Sequence, residues 1–116
     1  MHVVPFMRAP AYDAPGHSGM RMHRLQGVEA GPSDAIWIGC SLIEPGGGTT
    51  PGASDVEKFY VCLEGEVQVT AQADGPAQVT TLRPLDSCRI APGEMRQLLN
   101  ASAKPARLLL VMSRKL

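Results

Sequence analysis

Glycine and proline interrupt this chain so often that long helices are not expected anywhere in it. The 116 residues include 12 glycines and 10 prolines, spread between short apolar runs. Proline removes a backbone donor and glycine favours turns, so no segment sustains a helical period. Short runs bounded by frequent turn signals are typical of β-sandwiches and β-barrels. The sequence therefore predicts an all-β fold.

The runs between the turn signals predict a series of short strands. Residues 20–25 alternate between apolar and polar, while 35–43 are apolar throughout, as expected of a strand buried on both faces. Residues 57–72 form a longer run that breaks at Glu64 and Gly65, where we expect a tight hairpin. Further strands are predicted at 78–82, 89–91, 97–99 and 106–112.

Composition narrows the possible partners and the location. Eleven Lys and Arg balance eleven Asp and Glu, so the formal net charge is zero and there is no basic field for nucleic acid. The longest apolar stretch, 108–112, is too short to span a bilayer, and the first residues lack a secretory signal pattern. We therefore expect a cytoplasmic protein with neither a nucleic-acid nor a membrane partner.

The cysteines and histidines give weak signals for chemistry. The cysteines are odd in number and lack C-x-x-C spacing, so we expect free, buried thiols at all three positions: Cys40, Cys62 and Cys88. His2, His17 and His23 precede the motifs described next and are expected at the surface or at strand edges. His17 and His23 would approach a cavity if the N-terminal segment crossed its mouth.

Two motifs stand in the second part of the chain. The first starts at 45–48, Pro-Gly-Gly-Gly, and continues through 57–65; the second covers 90–100 and contains Pro92 and Gly93. In this order they resemble the two motifs of the cupin family, in its small single-domain form, over roughly residues 40–112. The resemblance implies a double-stranded β-helix, or jelly roll, with a ligand cavity at one mouth of the barrel.

The metal-ligand positions of the two cupin motifs are changed here. The family places three histidines and a glutamate at positions that in this chain carry other residues: Gly52, Ser54, Lys58 and Arg96. The other family spacing puts Pro51 and Ala53 at the two histidine positions of the first motif, so it restores neither. Two cations at these positions repel a divalent metal. We therefore expect no metal and no cofactor.

The replaced positions favour an anion instead. Strand alternation places Tyr60 on the same face as Lys58, and Asn100 on the same face as Arg96. A guanidinium and an ammonium that converge on one point suit a carboxylate or phosphate. We expect a metal-independent small cupin that binds a small anionic, carboxylate-type metabolite through Lys58, Arg96, Tyr60 and Asn100.

Three alternatives remain open from the sequence. The protein could be a lyase or isomerase of carboxylated small molecules with Lys58 as the catalytic residue, because burial and Arg96 would lower the pKa of its amine. It could be a structural or sensory dimer whose barrel is filled by its own side chains. The cations could also pair with Glu57 or Glu94 and do nothing further. The sequence names no substrate.

The domain organisation is simple. One domain is expected, with an N-terminal strand-containing segment at 1–39 that packs on the barrel or on a dimer partner, and the cupin barrel at 40–116. We expect a homodimer, because small cupins commonly use such a segment to pair with a second subunit.

Overall fold

A computed structural model describes residues 1–114 of the chain, and it is nearly all β. The strands are β1 (Ala11–Tyr12), β2 (His17–Gln26), β3 (Ile36–Thr49), β4 (Lys58–Glu64), β5 (Val67–Gln72), β6 (Gln78–Leu82), β7 (Ser87–Ile90), β8 (Met95–Leu99) and β9 (Ala106–Ser113). Within the described residues the helical segments are two single 3₁₀ turns, Phe6–Arg8 and Val28–Ala30. The predicted all-β fold is confirmed. None of the described residues forms a helix of the length and apolarity that a membrane crossing requires.

The strands form a sheet that folds around a single core. Its order is β6-β5-β8-β3-β9-β4-β7, with β2 added to β3 and β1 added to β2. The long strand β3 joins the two parts, because it pairs with β2 and β9 over much of its length and reaches β8 through Gly48 and Leu99. Side chains from both parts fill the core: Ile43, Tyr60, Cys62, Val67, Val69, Leu82, Ile90, Leu98, Ala106 and Leu108.

The prediction of a tight hairpin at Glu64 and Gly65 is wrong. β4 pairs with β7 and β9, whereas β5 pairs with β6 and β8, so the chain crosses from one part of the sheet to the other at this turn. Gly65 has a φ of +73°, and its Cα packs against the backbone of Pro105 and Ala106. Alternation marked the two strands correctly but carries no information on which strands they pair with.

The N-terminal segment extends the same sheet. β2 pairs antiparallel with β3 of its own chain, with irregularities between Ser18 and Met20 and between Arg24 and Gln26. β3 itself runs across the predicted boundary between residues 39 and 40. Residues of β2 therefore reach the interior of the barrel beside those of the two motifs.

Candidate functional site

The barrel encloses a cavity of about 390 Å³. Side chains of β2, β3, β4, β8 and β9 line it, together with the segments at 12–15 and 50–54. This volume lies within the range of small-molecule sites, about 300–1,000 Å³. The barrel is therefore not filled by its own side chains.

The positions that would hold a metal in the cupin motifs all line this one cavity: Gly52, Ser54, Lys58 and Arg96. The backbones of Gly52 and Arg96 exchange two hydrogen bonds, of 3.0 and 2.8 Å, and so bring the two motifs into contact. A glycine, a hydroxyl and two cations do not fit a divalent metal. Across residues 1–114, no three His, Cys, Asp or Glu side chains are grouped so as to hold a metal ion.

Arg96 is held in the cavity wall by neutral partners. Its Nε donates to the Tyr60 hydroxyl at 2.9 Å, and its Nη1 donates to Thr49 Oγ1 at 3.1 Å and to the Thr50 carbonyl at 3.4 Å. Among the described residues no group bonds to Nη2 and no carboxylate forms an ion pair with Arg96. The guanidinium is thus oriented without being neutralised.

Lys58 is buried, with 5% of its surface exposed. It faces inward with Tyr60 and Cys62, while Phe59 between them is exposed, as strand alternation predicts. Burial lowers the pKa of the Lys58 amine, and the positive charge of Arg96 lowers it further. Lys58 and Arg96 therefore both present positive charge to the same cavity.

The acidic neighbours considered as partners for these cations are engaged elsewhere. Glu57 forms an ion pair with Arg89 on the outer surface. A carboxylate oxygen of Glu94 accepts a hydrogen bond from the Ala91 backbone at 2.9 Å. Within residues 1–114 neither glutamate pairs with Lys58 or Arg96.

Tyr60 contributes a buried phenol to the same wall. Burial raises the pKa of its hydroxyl, and the nearby Arg96 only partly offsets this. The phenol therefore stays protonated at neutral pH and keeps one O–H to donate while it accepts from Arg96.

Asn100 does not line the cavity, although its side chain is fully buried. Its amide nitrogen donates to the carbonyls of Ile43 and Lys104 at 2.9 and 2.8 Å. Its amide oxygen accepts from the backbone and hydroxyl of Ser102 at 3.0 and 2.7 Å. The structure thus brings Lys58, Tyr60 and Arg96 together and uses Asn100 to hold the turn after β8.

Comparisons with known proteins agree with this geometry. No family model matches the chain. It is 41% identical over 113 residues to the protein named Beta-D-galactosidase Rv1717 of Mycobacterium tuberculosis, which covers 97% of this chain and 94% of that protein. Solved structures with the same fold include an RmlC-like cupin from Shewanella frigidimarina, with a TM-score of 0.75 and 18% identity over 99% of this chain and 92% of the other. The chain belongs to one family with this mycobacterial protein, and it has the cupin fold.

Two further solved structures have the same fold at low sequence identity. The polyketide cyclase RemF from Streptomyces resistomycificus matches with a TM-score of 0.81 and 20% identity, over 99% of this chain and 80% of the other. The CENP-C cupin domain of Drosophila melanogaster matches with a TM-score of 0.78 and 17% identity, over 97% and 80%. At this level of identity the likeness shows the jelly-roll fold, which confirms that prediction.

One wall of this cupin's cavity was not foreseen from its sequence. The Arg24 guanidinium lies over the rings of Tyr12 and Trp37, 3.5 and 4.2 Å from their centroids, and pairs with Glu29 at 3.1 Å. Tyr12 and Trp37 meet edge to face. Only the alternation of β2 could have indicated that Arg24 points inward, because the aromatic partners come from distant parts of the chain.

The histidines separate into different environments. His17 lines the cavity. His23 does not, and its ring instead contacts Phe6 at 5.3 Å between centroids. The N-terminal segment therefore brings one of the two histidines to the site.

The three cysteines are free thiols, as predicted, but only Cys40 and Cys62 are buried, while Cys88 is partly exposed. Burial raises the pKa of both Cys62 and Cys88, so both thiols stay protonated at neutral pH. Neither thiol is suited to act as a nucleophile.

Proposed function

We propose that this cupin binds a small organic anion of the carboxylate type in its barrel, without a metal. The observation that carries the proposal is the pair of cations, Lys58 and Arg96, in one cavity of about 390 Å³ without an ion-pair partner among the described residues. A buried charge without a partner lowers stability, and a bound anion removes that cost.

Arg96 and Lys58 would contact a bound carboxylate in different ways. Arg96 keeps Nη2 available while Tyr60 and Thr49 fix its plane, so one carboxylate oxygen can accept a charge-assisted hydrogen bond in a defined direction. Lys58 adds a point charge from β4, on another part of the cavity wall. The Tyr60 hydroxyl can donate a further hydrogen bond.

Calorimetric titration with a panel of small carboxylates tests this proposal. Arg96→Ala should weaken binding by about 1.5–3 kcal/mol, the usual worth of hydrogen bonds to charged groups. Arg96→Lys should recover only part of the loss, because an ammonium lacks the fork geometry. Arg83→Ala, which removes an exposed guanidinium 3.9 Å from Glu66, is the matched control and should bind as the wild type does. Equal affinities for all variants would contradict the proposal.

A lyase or isomerase that uses Lys58 is a second candidate. The lowered pKa of Lys58 favours it, because a neutral amine is the form that attacks a carbonyl or takes a proton. If Lys58 forms a Schiff base with a keto acid, borohydride should reduce and trap the adduct. The mass of the protein should then increase by the mass of the attached, reduced acid group. Unchanged mass with pyruvate and related keto acids would remove this candidate.

The name of the mycobacterial relative suggests hydrolysis of a β-D-galactoside as a third candidate. Glycosidases generally use two carboxylates that flank the scissile bond. Among residues 1–114 the lining of this cavity contains one, Asp13. If the activity is present and uses Asp13, hydrolysis of a nitrophenyl β-D-galactoside should disappear in Asp13→Asn, and activity that survives this change would exclude Asp13.

A further inference from the structure

His17 lines the same cavity as Lys58 and Arg96, and it takes no part in the anion site proposed above. It begins β2 and lies directly opposite Thr49 in the antiparallel pair of β2 and β3. Side chains of directly opposed residues project from the same face, with Cβ atoms about 4.5–5.5 Å apart. Thr49 Oγ1 accepts the hydrogen bond from Arg96, so His17 is one side chain away from the guanidinium. Both His17 and Arg96 line the cavity.

The ring of His17 is held in one tautomer. Its Nδ1 lies 2.8 Å from the Pro15 carbonyl, which can only accept, so Nδ1 carries the proton. In the neutral ring Nε2 then has a free lone pair. The preceding Gly16 has a φ of +72°, and its carbonyl accepts from the Thr50 backbone at 2.8 Å. The segment that carries His17 is therefore tied to the residues that hold Arg96.

We propose that His17 is a catalytic base that exchanges a proton on the carbon next to a carboxylate bound by Arg96 and Lys58. The inference rests on the anion site proposed above and adds a reaction class and a residue to it. The Cys62 and Cys88 thiols suit this task less well because they stay protonated, and Lys58 supplies charge to the anion.

The proposed step needs no oxidant or cofactor. Nε2 of His17 takes the α-proton, and the electron pair of the broken C–H bond moves toward the carboxylate to give an ene-diolate. Arg96 and Lys58 stabilise the extra negative charge on its oxygens. The imidazolium then returns a proton to the carbon and the carboxylate is restored. In D₂O the imidazolium exchanges with solvent, so deuterium replaces the α-hydrogen.

Proton NMR in D₂O measures this exchange directly. The probes are D-galacturonate, D-glucuronate and L-malate, each of which carries a C–H next to a carboxylate. The wild type should remove the α-proton signal of at least one probe that it binds. His17→Gln should slow the exchange at least 100-fold, within the usual contribution of about 10²–10⁴ from a general base, while the dissociation constant stays within about threefold. His23→Gln is the matched control, since His23 contacts Phe6 outside the cavity, and it should exchange at the wild-type rate.

The outcomes distinguish this inference from the anion site. Suppose that at least one probe binds the wild type and loses binding in Arg96→Ala, but that no probe exchanges its α-proton. This result would overturn the role of His17 and leave the anion site in place. Undiminished exchange in His17→Gln would also overturn it. If none of the three probes nor any member of the carboxylate panel binds, the anion site fails and the proton-transfer role fails with it.

Discussion

At the scale of single residues, Thr49 contributes both to the stability of the barrel and to the position of Arg96 in its cavity. Its buried Oγ1 accepts hydrogen bonds from Arg96 Nη1 at 3.1 Å and from the Leu98 backbone at 3.0 Å. Thr49→Val removes both, leaves a buried N–H unpaired and frees the guanidinium. The free energy of unfolding should fall by about 1–3 kcal/mol, and carboxylate affinity should fall with it.

Thr49→Ser is the control for this prediction, because it keeps the hydroxyl and loses only a methyl group. Urea unfolding and calorimetric titration of the two variants provide the test. If Thr49→Val bound carboxylates as tightly as Thr49→Ser, the hydroxyl would not be what positions Arg96.

Lys58 gives the protein a specific dependence on pH. Its pKa in the folded protein lies below the ordinary value of 10.5, because burial and the charge of Arg96 disfavour the ammonium relative to the unfolded chain. Between the lowered pKa and the ordinary one the unfolded chain binds the extra proton, so the Lys58 contribution to stability rises with pH across that window. Lys58→Met should therefore melt at a higher temperature than the wild type at pH 7, and this gap should shrink as the pH approaches 10.

Thermal melts between pH 7 and pH 10 without ligand measure this gap. Lys104→Met changes an exposed lysine and should show no such gap. A Lys58→Met variant that is less stable than the wild type at pH 7 would mean that a partner within the protein neutralises Lys58.

The orientation of some site residues can be predicted from the local sequence, and that of others cannot. Alternation along β4 and β8 was enough to place Lys58, Tyr60 and Arg96 on the inner face. It also predicted that Asn100 points inward, and this side chain is fully buried, but it bonds to the Ile43 and Lys104 carbonyls and does not line the cavity. It could not place His17, because the irregularity between Ser18 and Met20 shifts the register of β2.

At the scale of strands and turns, Gly65 fixes the crossing from β4 to β5. A Cβ on Gly65 would lie 2.8 Å from the Pro105 carbonyl oxygen and 3.0 Å from Ala106 Cα, and φ is +73°. Gly65→Ala therefore adds a backbone clash to the cost of a left-handed conformation, about 1–2 kcal/mol. Gly75, with a φ of +82° and open space around it, is the matched control.

Denaturant unfolding of Gly65→Ala and Gly75→Ala compares these two turns. Gly75→Ala should show the conformational cost alone, and Gly65→Ala should be clearly less stable than Gly75→Ala. Equal losses would mean that the turn at Gly65 can move away from Pro105 without cost. By contrast, β5 and β6 are consecutive strands that pair with each other. A turn read from the local sequence between them therefore also gives the correct pairing.

At the scale of the whole molecule, the outer face of the sheet supports the predicted homodimer. Antiparallel sheets with one solvated face usually alternate apolar and polar residues. Here four outward positions of β4 and β9 are apolar, with Phe59 opposite Val111 and Val61 opposite Leu109. Phe59 is 40% exposed. We expect a second copy to cover this face.

Light scattering at micromolar concentration should give twice the chain mass of 12.4 kDa for the wild type. Phe59→Glu should give the monomer, while Val79→Glu on the distant strand β6, where Val79 is 58% exposed, should not. A monomeric wild type would end the homodimer prediction.

Metal content tests the whole barrel in one assay. Protein purified without a chelator should contain well under one equivalent of any transition metal, because Lys58 and Arg96 put positive charge where metal ligands would be. One equivalent of iron, manganese, nickel or zinc that is lost in His17→Gln would show a metal site built from residues outside the two motifs.

The most direct test is a crystal structure of the cupin with a bound carboxylate probe such as D-galacturonate. The carboxylate should lie inside the barrel, with its oxygens within hydrogen-bonding distance of the Arg96 guanidinium and the Lys58 ammonium. A carboxylate bound away from both cations, or a metal ion between Gly52, Ser54, Lys58 and Arg96, would contradict this prediction.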